Sequence, residues 1–333
     1  MNLYDWEYEY HDGQFNVIPP FKIKKPNAFF KYYALDKKNV DAVTQKRLYA
    51  SHPAQLNDLV DCNIRLFDFD VPAFNRVVTH NILPYCKMTD DELMAEDVRL
   101  MIKRSFFSMH FSKWGVFSMA PTAKNWLMWS LYSGNNGFCV EFDVEKFAFK
   151  KHGPFPMNYQ KELRTIRLSE FMAIKEPLFL AFTNIKHERW RFEEEWRLIC
   201  DAKEKWMDTP DSELWESGII NRDRFFDYSD SAIKSITFGI CFFDWENAVQ
   251  LNESTLQIKF SLSRYEQNKS VEDTLKIQLL DFALKNDINM GVFLPKGLNE
   301  VDIASIKING GDGEYTIHFT GDYLFENKNL VSV

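Results

Sequence analysis

Cysteine is scarce in this 333-residue chain: Cys62, Cys86, Cys139, Cys200 and Cys241 stand far apart, with no C-x-x-C pair. Such a set supplies neither a disulfide framework nor a thiolate zinc site, and it suits reduced thiols. Long apolar runs are missing too, and no stretch approaches the roughly 18 residues that a bilayer crossing needs. The opening residues, Met1 to Glu7, lack the basic-then-apolar layout of a secretory signal. A soluble, cytoplasmic protein is the expectation. Positive charge is in deficit, 40 Lys+Arg against 48 Asp+Glu, which argues against a global electrostatic grip on nucleic acid and leaves room only for a local basic strip. There is no G-x-S-x-G, Walker A or G-x-G-x-x-G, so serine-hydrolase, P-loop and Rossmann readings have no handle. The seven histidines show neither H-x-x-x-H nor H-E-x-x-H spacing, and no metal cofactor is expected.

What is present is a large apolar and aromatic stock. At 45% hydrophobic residues the chain can build a proper core, and roughly 150 residues per domain as a prior suggests about two domains. Rings make up 16% of the chain, enough to fill that core or to wall a pocket for flat heterocycles. Residues 1–28 read as an N-terminal lead-in arm, 29–250 as the core domain, and 251–333 as a C-terminal extension packed on the same domain.

Ring-rich Phe29 to Tyr33 predicts a strand, and Asp36 caps a helix running to Arg47. A second strand follows at Leu48 to Ser51. Thr89 and Glu92 form a capping box for a helix to about Lys103. Trp114 to Ser118 reads as a strand. Thr122, after Pro121, caps a helix bearing Trp126, Trp129 and Tyr132, which ends at Gly134. Further strands are expected at 138–143, 194–200, 233–239, 255–262, 290–294, 303–308 and 314–319. Helices are expected at 167–184 and at 270–286, the latter capped by Ser270. The interleaving predicts an α+β fold: a mixed, largely antiparallel sheet with flanking helices.

The strongest local constellation is Glu193-Glu194-Glu195 running into Trp196-Arg197. On a strand, Glu193, Glu195 and Arg197 share one face. One reading is a carboxylate that offsets a cationic transition state or binds a sugar hydroxyl. The other, which such charge runs favour, is a solvated edge strand with Glu–Arg pairing. Trp126, Trp129 and Tyr132 drift around one helical face beside Ser118; that spacing favours core, with a nicotinamide or purine slot as the alternative. Asx residues after a strand, such as Asn57, Asp58 and Asp61, ordinarily make turns, yet with Glu141, Asp143, Glu193 and Glu195 they offer oxygen ligands for a magnesium-dependent nuclease.

Taken in order, these segments resemble the bacterial domain-of-unknown-function 2971 family. The matching pieces are Lys31-Tyr32, Leu48 to Asp58 with Asp61-Cys62, Phe117-Ser118, Leu127 to Ser130 with Tyr132, and Gly137 to Asp143. Tyr159, Lys186, Trp190, Glu193 to Arg197 and Ile233 to Gly239 complete the set, which spans about residues 29–245. Two positions depart from the family pattern: Tyr33 stands where Arg is usual, and Leu131 where His is usual. At a greater distance the layout is similar to ADP-ribosyltransferase folds. That likeness implies an ADP-ribosyltransferase-like core and NAD as co-substrate, bound by Lys31, Tyr32, Ser118, Trp129, Tyr132 and Arg197. It also implies Glu195 on the ribose 2′-hydroxyl and on the oxocarbenium-like state, Glu193 orienting the acceptor, and Asn57 and Asp58 as polar support. A bacterial toxin or phage-defence effector acting on an unidentified macromolecule is the implied setting. The alternatives are a non-catalytic nucleotide- or protein-binding module and the metal-dependent nuclease.

Overall fold

Residues 6–18 alternate large apolar and polar side chains, and they form the hairpin that a period of two requires. Strand Trp6–His11 pairs antiparallel with Gln14–Ile18, and Asn2–Leu3 adds on the other side. Asp12 and Gly13, at φ 51° and 77°, make the two-residue turn. Trp6, Tyr8, Phe15 and Val17 are buried, so the stretch read as a lead-in arm belongs to a core.

The computed structural model describes residues 1–53, 56, 61–62, 66–68, 72, 75–76, 79–80, 85, 87–102, 114–167, 175–201, 224–260, 267–296, 300–320, 323–326 and 329–332. The chain divides into two units that interleave in sequence. The first draws on Met1–Lys25, Tyr49–Ser118 and Phe149–Phe225, and the second on Pro26–Leu48, Met119–Ala148 and Phe226–Val333. These boundaries cut across the expected ones at 28 and 250.

In the first unit, strand Trp196–Asp201 lies between Trp114–Met119 and Lys151–Pro156. The helix Lys175–Asn184 is apolar on all sides and accordingly buried, with Leu178, Phe179, Leu180, Ala181 and Phe182 in the core. Trp114 stacks on Phe179 at 5.6 Å between centroids, and Phe67 on Phe182 at 4.9 Å. The helix runs straight into strand Ile185–His187, which pairs parallel with Asn158–Gln160. Both parts of the capping box form at Thr89 and Glu92.

The second unit is built on an eight-stranded sheet. From one edge its strands are Val249–Asn252, Thr255–Lys259, Glu314–Thr320, Glu300–Gly311, Asn289–Lys296, Ile233–Phe238, Phe138–Phe142 and Phe29–Tyr33. Every pairing is antiparallel except that of Ile233–Phe238 with Asn289–Lys296. A parallel pair needs a crossover, and the connection between these two strands carries the long helix Gln267–Lys285. The helix Lys37–Thr44 is capped by Asp36 and rests on the long one, where Gln278 donates to Asp41 at 3.1 Å. The fold is therefore α+β with mostly antiparallel sheets, as expected.

Three local expectations shift. The helix after Asp36 stops at Thr44, because Lys46 adopts φ 57° and turns the chain into strand Arg47–Tyr49. The cap of helix Trp126–Tyr132 is Asn125, which accepts from the Met128 amide, while Thr122 accepts the Lys124 amide one turn earlier. Ser270 lies inside its helix instead of capping it. Among the described residues no helix is long and apolar enough to cross a membrane.

Candidate functional site

The acidic run is not a solvated edge. Glu188–Glu193 forms a 3-10 helix, and Glu194 closes it in the left-handed region at φ 46°. That turn sets Glu195 immediately before the central strand Trp196–Asp201, which starts two residues later than expected, and the Glu195 carboxylate meets Arg197 directly. Glu193, Glu195 and Arg197 are all buried, at 3%, 5% and 2% exposure.

Arg197 is the hub. Its Nε donates to Glu195 Oε1 at 2.6 Å, and one terminal nitrogen reaches Glu195 Oε2 at 3.2 Å and also Asp61 Oδ2. The other donates to Asp61 Oδ1 at 3.0 Å and to the Thr183 carbonyl at 2.7 Å. All five guanidinium N–H groups are thereby engaged. Lys186, the middle residue of strand Ile185–His187, donates to Glu193 Oε2 at 2.5 Å and Glu195 Oε2 at 2.9 Å, and lies 3.7 Å from Asp61. The Ser118 hydroxyl also bonds Glu195. Three carboxylates, Asp61, Glu193 and Glu195, thus share a buried space with the Lys186 and Arg197 cations.

Burial alone would raise the Glu195 carboxyl, but Arg197, Lys186 and the Ser118 hydroxyl together hold it well below the ordinary carboxylate range. Burial opposes the Lys186 ammonium, and Glu195, Asp61 and Glu193 overcome it, so its pKa rises. The Cys62 thiol is pushed up, first by burial and then by Asp61. Glu195 is accordingly a fixed charge and not a proton carrier. Its carboxylate already accepts four hydrogen bonds, from Arg197 twice, Lys186 and Ser118, which is about its capacity.

Tyr159 and Trp190 frame this cluster. The Glu195 amide donates to the Tyr159 phenol oxygen at 2.8 Å, and the Lys186 ammonium lies over the Trp190 ring, 5.1 Å from its centroid. The Tyr159 phenol is raised chiefly by burial and then by Glu195. Of the residues singled out in the sequence, Ser118, Glu193, Glu195 and Arg197 come together here.

Lys31, Tyr32, Trp129 and Tyr132 belong to the second unit. There Trp129 is sealed in the core, stacked on Phe293 at 4.9 Å and edge-on to Tyr32 at 5.3 Å, with its Nε1 donating to the Ala123 carbonyl. The Tyr32 hydroxyl donates to the Thr122 carbonyl at 2.9 Å. Tyr132 is half-buried, and the Lys31 ammonium lies 5.9 Å from the Tyr33 ring centroid. Trp126, Leu127 and Leu131 turn outward from the same helix. Tyr33, where the family has Arg, is a core ring stacked on Phe138.

Asn57 and Asp58 lie outside the described residues. Glu141 accepts from the Ser235 hydroxyl, and Asp143 caps a short 3-10 turn. Among the described residues no group of three or more His, Cys, Asp or Glu is arranged to hold a metal ion. Two members of the cluster entered the sequence analysis in other capacities: Lys186 as a family-matching position with no chemical role, and Asp61 as an oxygen ligand of the nuclease alternative.

No curated protein and no solved structure matches the chain. The resemblance carried by the ordered segments holds for the stretch that supplies Tyr159, Lys186, Glu193, Glu195 and Arg197: residues 128–198 match the family described as Protein of unknown function (DUF2971).

Proposed function

We propose that the chain is an NAD-using, ADP-ribosyltransferase-like enzyme of the cytoplasm, a toxin or phage-defence effector, with its chemistry centred on Glu195. The observation that carries this reading is the buried cluster in which Asp61, Glu193 and Glu195 converge on Lys186 and Arg197. A buried ionic cluster is a poor way to stabilise a fold, and perturbed buried carboxylates concentrate at functional sites. A cationic centre brought beside these carboxylates would be stabilised.

In the proposed reaction the bond between nicotinamide nitrogen and ribose C1′ breaks, and its electron pair leaves with nicotinamide. An oxocarbenium-like sugar remains. The acceptor's nucleophile adds to C1′ and gives up its proton to solvent water, with Glu193 orienting the acceptor. Glu195, permanently ionised, offsets the developing charge. Because its acceptor positions are filled, a ribose 2′-hydroxyl has to exchange for an existing donor. The neutral Ser118 hydroxyl is the weakest of these, so the exchange is hydroxyl for hydroxyl.

Calorimetry with NAD, paired with measurement of released nicotinamide, tests the reading. Glu195→Gln is expected to slow release by about 10²–10³. Ser118→Ala removes the competing donor and is expected to tighten NAD binding. Absence of both heat and nicotinamide release with protein and nucleic-acid acceptors would remove the enzyme. The second reading, a non-catalytic binding module, is favoured by the saturation of Glu195 and Arg197, which leaves the cluster self-sufficient.

A further inference from the structure

The cluster has an outer face. Trp190 and Phe192 are half-exposed, with ring centroids 5.9 Å apart and planes 34° from parallel. Arg191 is exposed, its guanidinium 5.3 Å from the Tyr159 ring centroid and 3.5 Å from the Tyr159 carbonyl. These side chains lie directly beside Lys186 and Glu195 through the Trp190 and Tyr159 contacts described above. A half-exposed indole and an exposed guanidinium fork, carried by consecutive residues on this face, suit a ligand that is flat at one end and anionic at the other.

We propose that this platform holds a purine nucleotide, the neutral base on Trp190 and the phosphate on Arg191. It deepens the NAD reading by assigning the platform to the adenosine-phosphate half and not to the nicotinamide half. Lys186 already places a positive charge over the Trp190 ring, 5.1 Å from its centroid. A cationic nicotinamide stacked on the same ring would meet that charge across it, whereas a neutral adenine would not. Nearby charges cancel: Arg189 and Arg191 are offset by half-buried Glu188 and exposed Glu194. Recognition therefore rests on stacking and on the Arg191 fork instead of on bulk attraction, and its salt dependence is shallow.

Calorimetry on the full chain with AMP and with nicotinamide mononucleotide as separate probes tests this. AMP is expected to bind, and nicotinamide mononucleotide at least about tenfold more weakly. Trp190→Ala should weaken AMP about 10- to 100-fold and Trp190→Phe far less, since base stacking of this kind tolerates a change of ring. Arg191→Gln is expected to weaken AMP about tenfold. An AMP affinity unchanged in a folded Trp190→Ala variant, no AMP binding at all, or tighter binding of the nicotinamide nucleotide would each overturn the proposal. Nicotinamide release that AMP does not inhibit would remove the platform and leave the enzyme reading standing. Trp190-dependent AMP binding without nicotinamide release would do the reverse.

Discussion

Replacing Arg197 with Met is the sharpest perturbation of the buried cluster. The change keeps much of the side-chain volume and removes all five donors, so Asp61 and Glu195 lose their guanidinium while the Lys186 contacts stay. Breaking one partner out of a buried charge network costs about 3–5 kcal/mol. Hydrogen-exchange mass spectrometry can read this locally, which matters because a chain with two units need not unfold in two states. At about 1.4 kcal/mol per decade, protection across residues 185–201 should fall by about 2 to 3.6 decades, while strand Ile233–Phe238 keeps its protection.

The pH dependence gives the mechanism a sign. In the native protein the Glu195 pKa lies below its unfolded value of about 4.3, so its stabilisation is present above that pH and is lost as pH falls through the folded pKa. Without Arg197, burial dominates and lifts the carboxyl above the unfolded value. Stability is then greatest below about pH 4.3 and declines as pH rises. The penalty of the substitution should therefore be larger at pH 7 than at pH 4.5. An equal penalty at both, or no change in 185–201, would refute the network as described.

Two further outcomes are expected. His52 is buried beside Arg224 and its imidazole is pulled down to about 3, so native stability should decline as pH drops below about 6.5. The loss is about 2 kcal/mol by pH 5, and urea titrations of His52→Gln should show a flatter slope there, with the native imidazole neutral at pH 5 by NMR. Gly137→Ala would set a Cβ 2.1 Å from the Tyr33 carbonyl and 2.9 Å from Ser133; a drop of about 1–3 kcal/mol is expected in thermal or urea unfolding. An unchanged midpoint would mean that the turn carrying residues 134–137 shifts freely.

Much of the second unit was legible because its signals are local. Ring-rich composition marks Phe29–Tyr33, alternation marks Phe138–Phe142, and Asp36 is the cap it looked like. Periodicity also favoured core for Trp129, and the ring is sealed. The acidic run was harder, since Glu193-Glu194-Glu195 in isolation reads as surface. What buries it is a guanidinium two residues on, an ammonium seven to nine residues back and an aspartate more than a hundred residues upstream. No window of sequence contains that set. The left-handed turn at Glu194 was equally hidden, because nothing about glutamate announces a positive φ.

The alternation of segments between units bears on synthesis. The polypeptide passes from one unit to the other five times, and the sheet that begins with Phe29–Tyr33 is not complete until Glu314–Thr320 has emerged. A ribosome therefore releases early strands long before their neighbours exist, and such pairings form slowly. Shortening the gene at either end removes strands from a sheet already committed to them, so a truncated piece of this molecule lacks the partners it needs to stand as a module.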